Sequence, residues 1–169
     1  MALIQTVKLH STSADGRAFP NLFTEVKVPD LKRKYEAYKG GGMDSPVHLE
    51  MGGEPSEMEL TFNGKLPKEL VKMFARPTHN AVLWRHAGWY TEQDTNAKYG
   101  VEIVLRGRFT VDNPATKSGE AGSGKIKVFA SYYKYSENGE ELIEIDAVTG
   151  INKVGGEDTL EEARNFIGI

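Results

Sequence analysis

Hydrophobic and polar residues alternate over long stretches of the chain, with the period of two that is typical of half-buried β-strands. The alternation is strongest over residues 99–111 and returns over 125–136. An Asn-Gly pair at 138–139 follows, and because this pair readily adopts positive φ angles, residues 125–147 are predicted to form a β-hairpin. Further strands are predicted over 22–28, 47–51 and 58–63.

Two short segments have the pattern of helices. Pro67 suits the first turn of a helix over 67–75, whose apolar face would hold Leu66, Leu70, Val71 and Phe74. A second helix is predicted near the end of the sequence, where Asp158 and Glu161 have the spacing of a capping box and Gly168 is a stop signal. Its apolar residues are Leu160, Ala163, Phe166 and Ile167. Residues 29–39 fit a helix and a strand equally well. The pattern predicts a mainly β protein with one or two short flanking α-helices.

Composition supports one folded domain and narrows the function. The chain has 169 residues, 39% of them hydrophobic and 27% charged, which is typical of a soluble globular domain, so residues 1–169 are predicted to be a single domain. Its net charge of -3 argues against a dedicated nucleic-acid binder. It has no cysteine, which excludes disulfides and thiolate chemistry. No segment has the pattern of a signal peptide or of a membrane span.

Residues 119–125 have the glycine and lysine spacing of a phosphate-binding loop. The next residue is Ile126, so the hydroxyl that would bind magnesium is missing, and a strand follows where the motif requires a helix. We therefore interpret residues 112–124 as a variable hairpin loop. No nucleotide or other cofactor is predicted.

Other catalytic patterns are also missing from the sequence. The four histidines, His10, His48, His79 and His86, do not have the spacing of a metal site. Carboxylates are abundant, but no surrounding apolar pocket is evident that would shift their pKa values, and no serine lies in a nucleophile elbow. The sequence predicts neither a metal site nor an enzyme.

Two features suggest binding surfaces instead. Trp84, Trp89 and Tyr90 could form an aromatic platform, although such a cluster is more often part of a core or an interface. The other feature is the run of three glycines at 40–42. Consecutive glycines are useful where the backbone turns sharply or passes close to another backbone. Residues 38–43 are thus either a mobile loop or a junction between subunits.

The glycine run belongs to a longer pattern that resembles a known family, the major tail tube proteins of contractile-tailed phages, together with the inner tubes of R-type pyocins. The similarity is carried by EVKVPDLKRK at 25–34 and YKGGGMDSPV at 38–47. It continues through the Met-Gly pair at 51–52, SYYK at 131–134, IEID at 143–146 and the final RNFIGI. The resemblance covers most of the chain, and segments 11–19, 78–99 and 112–124 match it poorly.

The resemblance implies an antiparallel β-sandwich or barrel-like domain that assembles into six-membered rings, which stack into a hollow tube. Strands of neighbouring subunits would join into one barrel around the lumen, with the strands over 31–39 and 47–63 as the expected lumenal sheet. The residues expected at the junction between subunits and rings are Tyr38, Gly40, Gly41, Gly42, Met43 and Asp44. DNA would pass through the lumen without specific binding, and because acidic groups repel phosphate, Glu50, Glu57 and Glu59 are expected to face it.

The implied partners are copies of the same chain, the tail sheath protein, the tape-measure protein, and the baseplate and tail terminator proteins. The implied location is the phage tail, with assembly in the cytoplasm of the host bacterium. A headless tailocin or a type VI secretion tube would use a similar subunit. A different class of function, a monomeric β-sandwich module binding a carbohydrate or a protein through the aromatic platform, would leave a stable monomer.

Overall fold

The computed structural model describes residues 4–169, and it is mostly β. Twelve strands and two helices follow one another in this part of the chain. In chain order they are β1 Gln5–Ala14, β2 Arg17–Ala18, β3 Phe23–Lys27, β4 Arg33–Tyr38, β5 Val47–Gly53, β6 Ser56–Asn63, α1 Lys68–Met73, β7 Val82–Glu92, β8 Lys98–Asp112, β9 Ser123–Glu137, β10 Glu140–Asp146, β11 Ile151–Val154, β12 Glu157–Asp158 and α2 Glu161–Ile167.

Ten of these strands form one antiparallel sheet, and the other two form a separate hairpin. Along the main path the order is β12-β11-β10-β9-β8-β7-β1-β2, and β6 branches from β9 with β3 at its outer edge. The separate hairpin consists of β4 and β5. The predictions of a mainly β, antiparallel fold and of a hairpin over 125–147 are confirmed. In the turn of that hairpin, Asn138 and Gly139 both have positive φ, as the Asn-Gly pair predicts.

The main sheet forks at Ser131, in the middle of β9. One edge of β9 pairs with β8 along its length, whereas the other edge pairs first with β6 and then with β10. The register places Ser56 beside Ala130 and Asp146 beside Tyr132, so the start of β6 and the end of β10 meet on either side of Ser131. The register of β8 with β9 shifts at the same point, which marks a β-bulge.

The bulge requires a glycine on the neighbouring strand. A Cβ atom added to Gly107 would lie 1.9 Å from the carbonyl oxygen of Phe129, a distance that no side chain could occupy. Gly107 is therefore the residue that lets β8 approach β9 where β9 changes partner.

The core lies on one face of the main sheet. Alternate residues of β6, β8 and β9 are buried there, together with Trp84 of β7 and Leu70 of α1. Trp84 packs edge to face against Phe109, with 5.3 Å between the ring centroids. The largest fully buried side chains are Trp84, Phe62, Met58, Leu60, Leu70, Leu105, Ile126, Val82 and Val128.

Both predicted helices are present, but they bury less than their patterns suggest. Leu66 and Leu70 are buried beside α1, whereas Val71 and Phe74 are exposed. None of the residues of α2 is buried, and its predicted capping box is not formed, because no side chain caps its first turn. In residues 4–169, no helix is long and apolar enough to cross a membrane.

Candidate functional site

The β4–β5 hairpin and its connecting loop, residues 33–53, form a feature that we call the arm. Every residue of β4 and of β5 is exposed. The two strands pair with each other from Arg33–Gly53 to Tyr38–Val47, and neither is hydrogen-bonded into the main sheet. The sequence left residues 29–39 open between helix and strand, and the structure places a strand there.

One face of the arm is apolar. Tyr38 lies opposite Val47, and Leu49 lies opposite Glu36, so these side chains point to the same side. Met51 follows on that side because residues two apart on a strand share a face. Tyr38, Val47, Leu49 and Met51 have relative exposures of 54%, 46%, 46% and 53%. A two-stranded hairpin without a core is marginally stable in water, so this face is suited to a partner.

The other face of the arm is held by polar contacts. Glu50 accepts a hydrogen bond from the Arg33 guanidinium and a second one, of 3.1 Å, from the backbone N–H of Gly52. Glu36 lies on the apolar side instead, opposite Leu49, and one of its carboxylate oxygens is 3.1 Å from Lys34 of the same strand. Exposed ion pairs contribute little energy each, and of these two only Arg33–Glu50 joins β4 to β5, at the base of the arm.

The glycine run forms a defined turn at the tip of the arm. The N–H of Met43 donates to the carbonyl oxygen of Gly40 over 3.2 Å, and the N–H of Gly40 lies 3.1 Å from the sulfur of Met43. Gly42 has a φ of +87°, which a residue with a side chain rarely adopts. Gly41 is different, because a Cβ atom added there would meet no atom within 4 Å. The fold of the single chain therefore does not require glycine at 41.

The three glutamates expected in the lumen lie in two places. Glu50 is on the arm, whereas Glu57 and Glu59 are on the outward face of β6. Lys127 lies 2.8 Å from Glu57, and the resulting hydrogen bond raises the lysine pKa. Glu59 lies opposite Lys27 and Lys127 in the neighbouring strands. The acidic side chains predicted from the sequence are thus interleaved with lysines.

The second exposed feature is α2, which is anchored by one side chain. Arg164 forms an ion pair with Asp158 and donates a 2.8 Å hydrogen bond to the carbonyl oxygen of Gly150. The hydrogen bond from Arg164 is the main reason that the pKa of Asp158 falls to about 2. Beyond this anchor the helix projects apolar side chains into solvent, and Phe166 is 92% exposed.

The aromatic platform predicted as an alternative is not assembled. Trp84 is fully buried in the core, whereas Trp89 lies on the opposite face of β7 and is 46% exposed. His86 is also buried, 3.0 Å from the hydroxyl of Thr12. Burial disfavours the imidazolium form, and together with nearby His10 it lowers the pKa of His86 to about 4. This histidine is therefore a neutral core residue.

The segment with the spacing of a phosphate-binding loop ends in a strand, which covers its residues 123–125. β9 begins at Ser123, so Lys125 lies inside a strand, as the alternation predicts. A Cβ atom at Gly124 would lie 2.5 Å from the ring of Phe62, which makes this glycine a packing requirement. Among residues 4–169, no group of three or more His, Asp or Glu side chains could hold a metal ion.

Sequence reasoning did not identify the separation of the arm from the main sheet or the exposure of α2. It predicted that the strands over 31–39 and 47–63 share one sheet, but β4 and β5 form their own ladder, while β6 belongs to the main sheet. A signal was present, because Pro29-Asp30 and Gly53-Glu54-Pro55 bracket the arm, and proline and glycine interrupt ladders.

Comparisons with known proteins agree on one family. The phage tail tube protein FII family matches residues 4–168. The tail tube protein of Escherichia phage P2 is 35% identical over 172 residues, covering 100% of this chain and 100% of the relative. The major tail tube protein of Serratia phage KSP20 is 27% identical over 160 residues, covering 94% and 92%.

The fold has a counterpart among solved structures. A chain from an extracellular contractile injection system, the PVC sheath/tube terminator in its extended state, superposes with a TM-score of 0.57. The identity is 14%, and the match covers 78% of this chain and 95% of the other. At this level of identity the likeness concerns the fold.

Proposed function

Since the chain belongs to the phage tail tube protein FII family, we propose that it forms six-membered rings that stack into the hollow inner tube of a contractile phage tail. Like the other members of this family, it is a structural protein of the tail tube. In the proposed assembly the tube penetrates the cell envelope and conducts DNA.

The observation that carries the proposal is the arm. Its two strands bury no side chain within the chain, yet they hold a row of apolar residues on one face. Such a surface is costly to leave in water and is typical of an interface. The junction residues Tyr38, Gly40, Gly41, Gly42, Met43 and Asp44 lie at its end, where an extended hairpin reaches furthest from its base.

The edges of the main sheet support closure into a ring. β3 pairs with β6 on one side only, and β2 covers β1 only at Ser13 and Ala14. Both strands therefore leave backbone N–H and C=O groups free for another strand. Pairing one edge with the other edge of the next copy is a head-to-tail contact, which closes into a ring when the rotation allows.

The proposal includes a lumen with Glu50, Glu57 and Glu59 among its lining residues. The nearby lysines reduce the negative electrostatic potential that the three glutamates would otherwise produce. Glu50 and Glu57 each form an ion pair, whereas Glu59 has no cation within 4 Å among residues 4–169. Replacing all three glutamates by lysine should permit assembly and slow DNA delivery, because phosphate would bind the wall. Normal ejection kinetics in a phage carrying this variant would contradict the lumenal assignment.

The proposed partners follow from the same assignment. They are the sheath protein outside the tube, the tape-measure protein inside it, and the baseplate and tail terminator proteins at its ends. The solved structure with the similar fold is the sheath/tube terminator of an extracellular contractile injection system. The virion tail is the proposed location, after assembly in the bacterial cytoplasm. A tailocin tube is the second candidate, since the same arm would join its rings.

Negative-stain microscopy of the concentrated protein tests the proposal directly. Rings or tubes with a central hole are expected, and sedimentation should show mass increasing with concentration. A monomer at every concentration would instead favour the binding module, in which half-exposed Trp89 would be accessible to a ligand and buried Trp84 would not.

A further inference from the structure

The arm and α2 both expose apolar side chains, and both arise at the fork in the sheet. The arm ends at Gly53, and two residues separate it from Ser56, where β6 begins beside Ala130. The β10 strand ends at Asp146, beside Tyr132. The carbonyl oxygen of Asp146 accepts a hydrogen bond from the N–H of Gly150, and the carbonyl oxygen of Gly150 accepts one from Arg164 of α2. The arm and α2, the two features with exposed apolar side chains, are thus connected to the main sheet on either side of Ser131.

The exposed side of α2 combines an apolar group with a negative charge. Helix geometry places Phe166 one turn after Glu162, and both point away from Arg164, which faces the body of the protein. Neither Glu161 nor Glu162 is within ion-pair distance of a cation in the part of the chain that the structure describes. Glu162 and Phe166 together form a surface that we call the α2 face.

The end of the arm has the complementary character. Tyr38 and Val47 form an apolar pair next to the glycine turn, and Lys39 follows directly. Within residues 4–169, Lys39 has no carboxylate within 4 Å. The arm therefore presents an apolar pair beside an available cation, whereas α2 presents an aromatic ring beside an available carboxylate.

We propose that the α2 face of one copy is the docking surface for the arm of another copy in the adjoining ring. The inference rests on the proposed tube, and it names the surface that the arm contacts. Burial of Tyr38 and Val47 against Phe166 would remove exposed apolar area on both sides, and Lys39 would meet Glu162. Among residues 4–169, no hydrogen bond or ion pair joins the arm to α2 of the same chain.

The two surfaces differ from each other, so their contact is head to tail. A head-to-tail contact repeats along an axis when its rotation does not close a ring, and this is the geometry that stacking requires. One arm extends towards the next ring while α2 receives the arm of the ring on the other side.

Cross-linking tests the contact, because the natural chain has no cysteine. Val47→Cys and Phe166→Cys are made as separate proteins, mixed, assembled and treated with a short bis-maleimide. A covalent dimer of one chain of each kind is expected in the sedimented tubes, and Thr110→Cys on the main sheet replaces Val47→Cys as the matched control. Tubes that form without this dimer would overturn the inference and leave the proposed tube intact.

Charge exchange gives an independent test. Glu162→Lys should raise the protein concentration needed for assembly about two- to five-fold, the range expected for one exposed ion pair. Glu161→Lys makes the same charge change on a different side of the helix and should have a smaller effect. Lys39→Glu combined with Glu162→Lys should restore assembly.

The outcomes separate the two proposals. Equal effects of Glu161→Lys and Glu162→Lys, with no recovery in the double variant, would overturn the docking surface while tubes still form. A natural chain that never forms rings or tubes would overturn the proposed function, and the docking surface with it.

Discussion

The ladder between β8 and β9 and the ladder within the arm are both antiparallel, and both carry alternating apolar side chains. In the first, Leu105 and Val128 are fully buried by the rest of the chain. In the second, Leu49 and Met51 stay about half exposed. Alternation therefore indicates that one face of a strand is apolar. It does not indicate whether the residues that bury this face belong to the same chain or to another molecule. The two regions should respond differently to substitution.

The largest effect on folding is expected in the main sheet. Trp84→Ala should lower the free energy of unfolding by about 3–5 kcal/mol, because a large buried ring is removed. Trp89→Ala, a matched change on the opposite face of the same strand, should cost much less. Urea denaturation followed by circular dichroism measures both, and equal losses would contradict the assignment of the core to one face.

A smaller effect is expected from pH, through His86. Its pKa is about 4 in the folded protein, whereas the unfolded chain takes up a proton near the ordinary value of 6.5. The unfolded state is thus favoured as the pH falls through this window, and stability should drop by about 2 kcal/mol between pH 7 and pH 5.

Denaturation of the His86→Asn variant at both pH values isolates this contribution, since the drop should then shrink. His48→Gln, on the arm, is the control and should keep it. A drop that persists without His86 would assign the pH dependence to other groups.

The next comparison is between two adjacent glycines at the tip of the arm. Gly42→Val should destabilise the folded chain by about 1–2 kcal/mol, because a side chain at positive φ is strained. Gly41→Val should leave unfolding unchanged within about 0.5 kcal/mol, since open space surrounds that position. We predict that Gly41→Val nevertheless blocks polymerisation, as judged by electron microscopy. Normal tubes from this variant would remove Gly41 from the junction.

The smallest effect on folding and the clearest effect on assembly are expected at Leu49. Leu49→Asp places a charge on the apolar face of the arm, where the single chain buries nothing. Thermal unfolding should be unchanged, while sedimentable tubes should disappear because the charge would be buried in the contact. Leu49→Met keeps the face apolar and should assemble normally. Loss of folding in Leu49→Asp would mean that the arm contributes to the core.

The sequence predicted the main sheet well because its evidence is local. The alternation over 99–111 and the Asn-Gly turn at 138–139 depend on neighbouring residues, and β8, β9 and β10 follow them closely. The resemblance to tail tube proteins drew attention to the tip of the arm. The fork at Ser131 could not be predicted, since it depends on the pairing of β9 with strands from both sides of the sequence.

The apolar stripe of α2 was visible in the sequence, but its exposure was not. An apolar stripe predicts that the helix packs against other apolar residues. The pattern of Phe166 and Ile167 is the same whether those residues belong to the core of the same chain or to a second copy. Glu57 and Glu59 show a related limit. Their position on a strand was predicted, whereas the lysines beside them come from β3 and β9, which are distant in sequence.

The fork has a mechanical consequence for a tube that is driven through an envelope. A force on the arm enters the main sheet at Ser56 and runs along β6, whose ladder with β9 extends from Ser56–Ala130 to Asn63–Ser123. Antiparallel hydrogen bonds lie perpendicular to the strands, so a pull along β6 loads this whole ladder in shear instead of opening it one pair at a time. A weak, exposed hairpin can therefore transmit load into the whole ladder between β6 and β9.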